Sequence, residues 1–181
     1  MRQKRVQLAA AVAVVAIASV VATTALAGGG KEIREELEGF QEVPAVSTEA
    51  DGKFKAQVRG DEIRWELRYE DLEGDVTQAH IHFGQRDVNG GISVWLCGNP
   101  DPANNVNPPP GTQTCPPDPA RISGTATAAN VVGPAGQGIA AGEFDELLEA
   151  IEEGVTYANV HSTMFRGGEV RGQLNDDRDR D

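Results

Sequence analysis

Polar and apolar residues alternate strictly along much of the chain. In Lys53–Arg59 the apolar positions are Phe54, Ala56 and Val58; in Glu62–Tyr69 they are Ile63, Trp65, Leu67 and Tyr69. A period of two puts those residues on one face of a strand and the charged ones on the other. Gly60-Asp61 supplies the turn, so the pair predicts an antiparallel hairpin with one wet face. Burying Trp65 alone should contribute about 2–3 kcal/mol. Further strands are predicted at 76–83, 92–96, 122–128, 155–162 and 169–174. Glu32–Leu37 fits either a helix or a strand. A single helix is predicted where Phe144, Leu147, Leu148 and Ile151 recur at i, i+3, i+4 and i+7. Glu143 and Asp145 suit its first turn, and Gly154 stops it. About seven or eight short strands with one short helix predict a mainly β protein, an antiparallel β-sandwich.

The same alternation singles out a polar set. Gln78, His80 and His82 fall on one face of the strand at 76–83, and Asn159 and His161 fall on one face of the strand at 155–162. If these strands are neighbours, all three histidines of the chain converge on one patch. Three imidazoles can hold one copper or zinc ion, with water completing the shell. Gln78 stands beside the pair, and Asn159 could orient an imidazole. The opposing reading has the three rings bonding to nearby backbone and fixing loops. Glu42 and Arg171 are a second constellation, a carboxylate and a guanidinium that could pair inside the fold. Catalytic residues are not assigned: Ser162 and Thr163 adjoin His161, but no nucleophile elbow, phosphate loop or dinucleotide fingerprint is present.

Composition places the chain. Met1-Arg2-Gln3-Lys4-Arg5, an apolar run from Val6 and Ala25-Leu26-Ala27 read as a signal peptide over residues 1–27, cleaved after Ala27. The alternative is an uncleaved membrane anchor. Residues 28–31 read as a linker, 32–175 as one domain, and 176–181 as a disordered charged tail. Cleavage would remove three cations from a chain whose net charge is already −12. That charge argues against nucleic acid, and no second apolar run is long enough to cross a membrane. Cys97 and Cys115 are the only cysteines, and in an exported chain they predict one disulfide. Closing the proline-rich loop between them should contribute about 3 kcal/mol.

Four segments carry a family resemblance: Gly39-Phe40-Gln41-Glu42-Val43-Pro44, Ala79 to Gly84, Gly154 to Ser162, and Gly168 to Leu174, in that order. Together they resemble the CHRD domain, the module named for chordin, over roughly Ile33 to Asn175. The resemblance implies an exported immunoglobulin-like sandwich and no established reaction. The long proline-rich loop and Ser47-Thr48-Glu49-Ala50 depart from it, outside the motifs. The His-x-His strand also resembles that of copper–zinc superoxide dismutase. That enzyme needs more histidines for its two metals than this chain has. The expected function is a non-enzymatic binding or envelope-associated module with an extracellular protein or small ligand as partner. The alternative is a single-site copper or zinc protein built on His80, His82 and His161.

Overall fold

The computed structural model describes residues 31–104 and 106–174. The segments read as a signal peptide, as most of the linker and as the charged tail lie outside the described residues. The eight strands are β1 (Glu32–Glu38), β2 (Asp51–Arg59), β3 (Glu62–Glu70), β4 (Val76–Phe83), β5 (Gly91–Gly98), β6 (Ala120–Ala126), β7 (Thr156–Ser162) and β8 (Val170–Leu174). One α-helix, α1 (Phe144–Glu152), precedes β7. The undecided segment at 32–37 is strand, because seven consecutive residues of β1 pair with β2. The strand expected to reach 128 stops at Ala126, where the chain turns into a short 3-10 segment at Ala128–Asn130.

All eight strands join one antiparallel sheet in the order β5-β4-β7-β8-β1-β2-β3-β6. The sandwich is therefore a single sheet bent on itself. Its bend lies at the β8–β1 junction, where one residue pair, Glu38 with Arg171, connects the halves. Alternation fills the space between the halves. Phe54, Leu67, Ile63 and Leu37 come from one half and Ile81, Ala158, Val160 and Leu174 from the other, all in one buried cluster. At the far side β5 and β6 approach without pairing. Gln113 bridges their edges, its Nε2 donating to Leu96 O at 3.1 Å and Ser123 O at 3.3 Å. The Cys97–Cys115 disulfide ties the loop carrying Gln113 to β5.

Helix α1 buries Phe144, Leu147, Ala150 and Ile151, its apolar stripe. Gly154 follows with φ +68°, a left-handed turn that a Cβ would disfavour. That turn launches β7, so the helix stop sets the start of the strand that carries His161.

Candidate metal centre

Strands β4, β7 and β8 lie side by side, and their register builds rungs of polar residues on the face away from the apolar core. His82, Tyr157 and Gln173 form one rung. His80, Asn159 and Arg171 form the next, and Gln78 and His161 the third. Two register shifts between β4 and β5 fall beside His80 and His82. Such bulges re-aim side chains and recur beside functional sites. The alternate residues Ala79, Ile81, Ala158 and Val160 face the core and are fully buried. The polar face is buried too, with His80 at 0%, Asn159 at 2%, His161 at 6% and His82 at 8% exposure. Loop residues cover it, the carbonyls of Gly90 and Arg166 accepting bonds from His82 and His161.

The three imidazoles each offer one nitrogen, and these atoms lie within 4.8 Å of one another. His80 Nδ1 is 3.2 Å from His161 Nε2. His82 Nδ1 donates to Gly90 O at 3.0 Å, and His161 Nδ1 donates to Arg166 O at 3.0 Å. A carbonyl only accepts, so both Nδ1 atoms carry the hydrogen and both Nε2 atoms present lone pairs. This is how ligating histidines are commonly held, with the second nitrogen bonded to a backbone carbonyl. The Nε2 atoms of His80 and His82 are buried and lack a hydrogen-bond partner. Burial holds all three rings neutral. It pushes His82 and His161 down to about 4 and His80 well below its ordinary value. The neighbouring imidazoles depress His80 further, because no two can charge together.

Aromatic groups frame the cluster. The Trp95 ring meets His80 edge-on at 4.2 Å between centroids. Tyr157 stacks parallel to His82 at 4.7 Å, and the Arg171 guanidinium lies 3.4 Å from the Tyr157 centroid. Tyr157 thus contacts both an imidazole and a cation through its ring.

Glu42 and Arg171 are both buried, at 5% and 1% exposure, but no direct ion pair joins them among the described contacts. Arg171 turns to the loop after β4 instead. Its Nη2 donates to Gln85 O and Val88 O, each at 3.1 Å, and its Nη1 reaches Asn89 Oδ1 at 3.5 Å. Glu42 Oε1 accepts from Asn159 Nδ2 at 3.4 Å. Burial raises Glu42 to about 7, opposed by the charge of Arg171. Gln78 is half-buried, opposite His161 in the ladder, and lines a small recess with Thr77, Asp101 and Arg166.

Sequence reasoning passed over Tyr157, Trp95 and the carbonyls of Gly90 and Arg166. Tyr157 had a signal, since it alternates onto the face of Asn159 and His161. Backbone carbonyls leave none. A family model for the CHRD domain matches residues 33–174. No curated protein and no solved structure matches the chain.

Proposed function

The chain belongs to the CHRD domain family, and on that premise we propose that it is an exported, non-catalytic binding module whose ligand is one copper or zinc ion. One observation carries the reading. His82 Nε2 is buried as a bare lone pair without a hydrogen-bond donor, and the imidazoles of His80 and His161 stand beside it. Leaving a buried acceptor unmade costs about 1–3 kcal/mol. A metal ion removes that cost. The backbone bonds of His82 and His161 supply the tautomers that ligation through Nε2 requires. The buried, uncharged rings also stay unprotonated at neutral pH, the form in which imidazole binds metal.

Export is supported by the basic and apolar start of the sequence and by the disulfide, which persists in oxidising compartments. No helix among the described residues is long and apolar enough to cross a membrane.

The test is elemental analysis of protein recovered from an oxidising compartment, followed by Zn²⁺ and Cu²⁺ titration of the stripped protein. About one ion per chain is expected. His82→Ala and His161→Ala should lose it while keeping the far-UV spectrum. Metal content unchanged in His82→Ala would remove the site.

A further inference from the structure

We propose that the amide oxygen of Asn159 is a fourth ligand, so that the centre is a three-nitrogen, one-oxygen set selecting a divalent ion, Zn²⁺ or Cu²⁺, over Cu⁺. The inference rests on the metal reading above and adds a ligand and a valence to it.

The argument starts from hydrogen atoms. Asn159 Oδ1 is 3.1 Å from His161 Nε2. The hydrogen of His161 is already committed to Arg166 O, so Nε2 is a lone pair, and a neutral ring has no second hydrogen. Two acceptors therefore face each other inside the protein. A hydrogen on His80 Nδ1 could satisfy Nε2 at 3.2 Å, but it would leave Oδ1 without a donor.

Rotating the amide does not relieve the conflict. Asn159 Nδ2 now donates to Glu42 Oε1 at 3.4 Å. Above about pH 7, where Glu42 is ionised, exchanging the two amide atoms would aim the oxygen at a carboxylate instead. Glu42 thereby acts as a positioning residue, holding the nitrogen outward and the oxygen toward the imidazoles. Glu42 is itself confined, because Gly168 lies directly against its carboxylate.

A cation between the facing lone pairs resolves the arrangement. Ligand atoms around one tetrahedral Zn²⁺ at ~2.0–2.1 Å stand about 3.3–3.4 Å apart. The separations of 3.1 and 3.2 Å from His161 Nε2 to Asn159 Oδ1 and His80 Nδ1 are close to that spacing. The donor chemistry then selects the ion. Imidazole and amide oxygen suit borderline divalent ions, whereas Cu⁺ prefers thiolate or thioether. The described residues hold no free cysteine, and Met164 is 62% exposed at the surface.

The test compares wild type, Asn159→Leu and Asn159→Asp, with His82→Ala as the metal-free control. Zn²⁺ affinity is read by chelator competition, Cu²⁺ coordination by EPR, and Cu⁺ affinity under reducing conditions. Asn159→Leu should keep about one ion per chain, bind Zn²⁺ about 10–100-fold more weakly, and change the Cu²⁺ spectrum, with Cu⁺ affinity unmoved. Asn159→Asp, which returns an oxygen to the position, should restore the Zn²⁺ affinity. Unchanged Zn²⁺ affinity and an unchanged spectrum in Asn159→Leu would reject Asn159 as a ligand while the three-histidine site stood. Wild type that binds neither ion would reject both readings together. Should Asn159→Leu fail to fold, the wild-type Cu²⁺ spectrum in ¹⁷O-enriched water decides: an oxygen ligand without ¹⁷O broadening supports Asn159, and ¹⁷O broadening, which marks a water in that place, overturns it.

Discussion

His80 Nδ1 stands 3.2 Å from His161 Nε2, although the two residues are 81 positions apart in the chain. The β4–β7 ladder produces this approach, since it sets Asn159 opposite His80 and Gln78 opposite His161. Two imidazoles so close and so dry cannot both take a proton. The pair therefore fixes both the acid sensitivity of the fold and the chemistry of the face it lies on.

The first prediction concerns pH. Unfolded histidine titrates near 6.5, whereas His82 and His161 are pushed to about 4 and His80 is lowered as well. Between those values the unfolded chain binds more protons, so stability falls as pH drops from 6.5 toward 4. Glu42 works oppositely. Its native value of about 7 exceeds the unfolded one, so its contribution is present below 4.5 and lost as pH rises through 7. Three histidines outweigh one glutamate between 4.5 and 6.5, giving a net slope of about 2.7 kcal/mol per pH unit. Urea midpoints of metal-free protein should rise from about pH 4.5 and level off above about pH 7. A flat profile from pH 5 to 7 would contradict neutral buried rings. Glu42→Gln should steepen the rise between pH 4.5 and 6.5 to about 4 kcal/mol per pH unit.

Those histidines were legible in part. Alternation alone put His80 and His82 on one face and Asn159 and His161 on another. Adjacency of β4 and β7 was not legible, because no local pattern says which strands pair across a long interval. Glu32–Leu37 stayed undecided because its charged residues fit both periods; pairing with β2 settled it. Arg171 shows a further limit. Charge type pointed to Glu42 as its partner, but the guanidinium bonds to carbonyls of Gln85 and Val88. Every residue carries a carbonyl, so sequence cannot mark the ones that matter.

A second prediction follows from those carbonyls. Arg171 holds down the loop that presents Gly90 to His82 and Tyr157. Arg171→Ala leaves a cavity under that loop and several acceptors without donors. A loss of about 3–5 kcal/mol is expected, the range for breaking a buried charged network. Hydrogen exchange should show residues 85–90 opening in the variant. Arg171→Lys should recover little, since one ammonium cannot both stack on Tyr157 and reach two carbonyls. Full rescue by lysine would show that charge alone matters there.

A third prediction addresses metal and acid together. Protons compete with metal only where the ligands titrate, and two of these rings titrate near 4. The bound ion should therefore survive to about pH 5, below the range where free imidazole lets go. Saturating Zn²⁺ at about 100 times Kd should stabilise the fold by about 2.7 kcal/mol. Thermal scans at pH 5 and 7, with and without Zn²⁺, read both effects. A Zn²⁺ shift at pH 7 that vanished by pH 6 would mean that the rings are wet.

The fourth prediction concerns Gly168. Its φ is +130°, a conformation that L side chains rarely adopt, and an added Cβ would overlap the Glu42 carboxylate. Gly168→Ala thus combines backbone strain with expulsion of a buried acid. Strain of this kind costs about 1–3 kcal/mol. Displacing Glu42 also frees the Asn159 amide to rotate, which weakens metal binding through a residue that touches no ligand nitrogen. Urea unfolding and Zn²⁺ competition on one preparation should show both losses. Glu42→Ala in the Gly168→Ala background should return part of the stability, by opening room for the new methyl, without returning the affinity. Recovery of both would separate Glu42 from the amide.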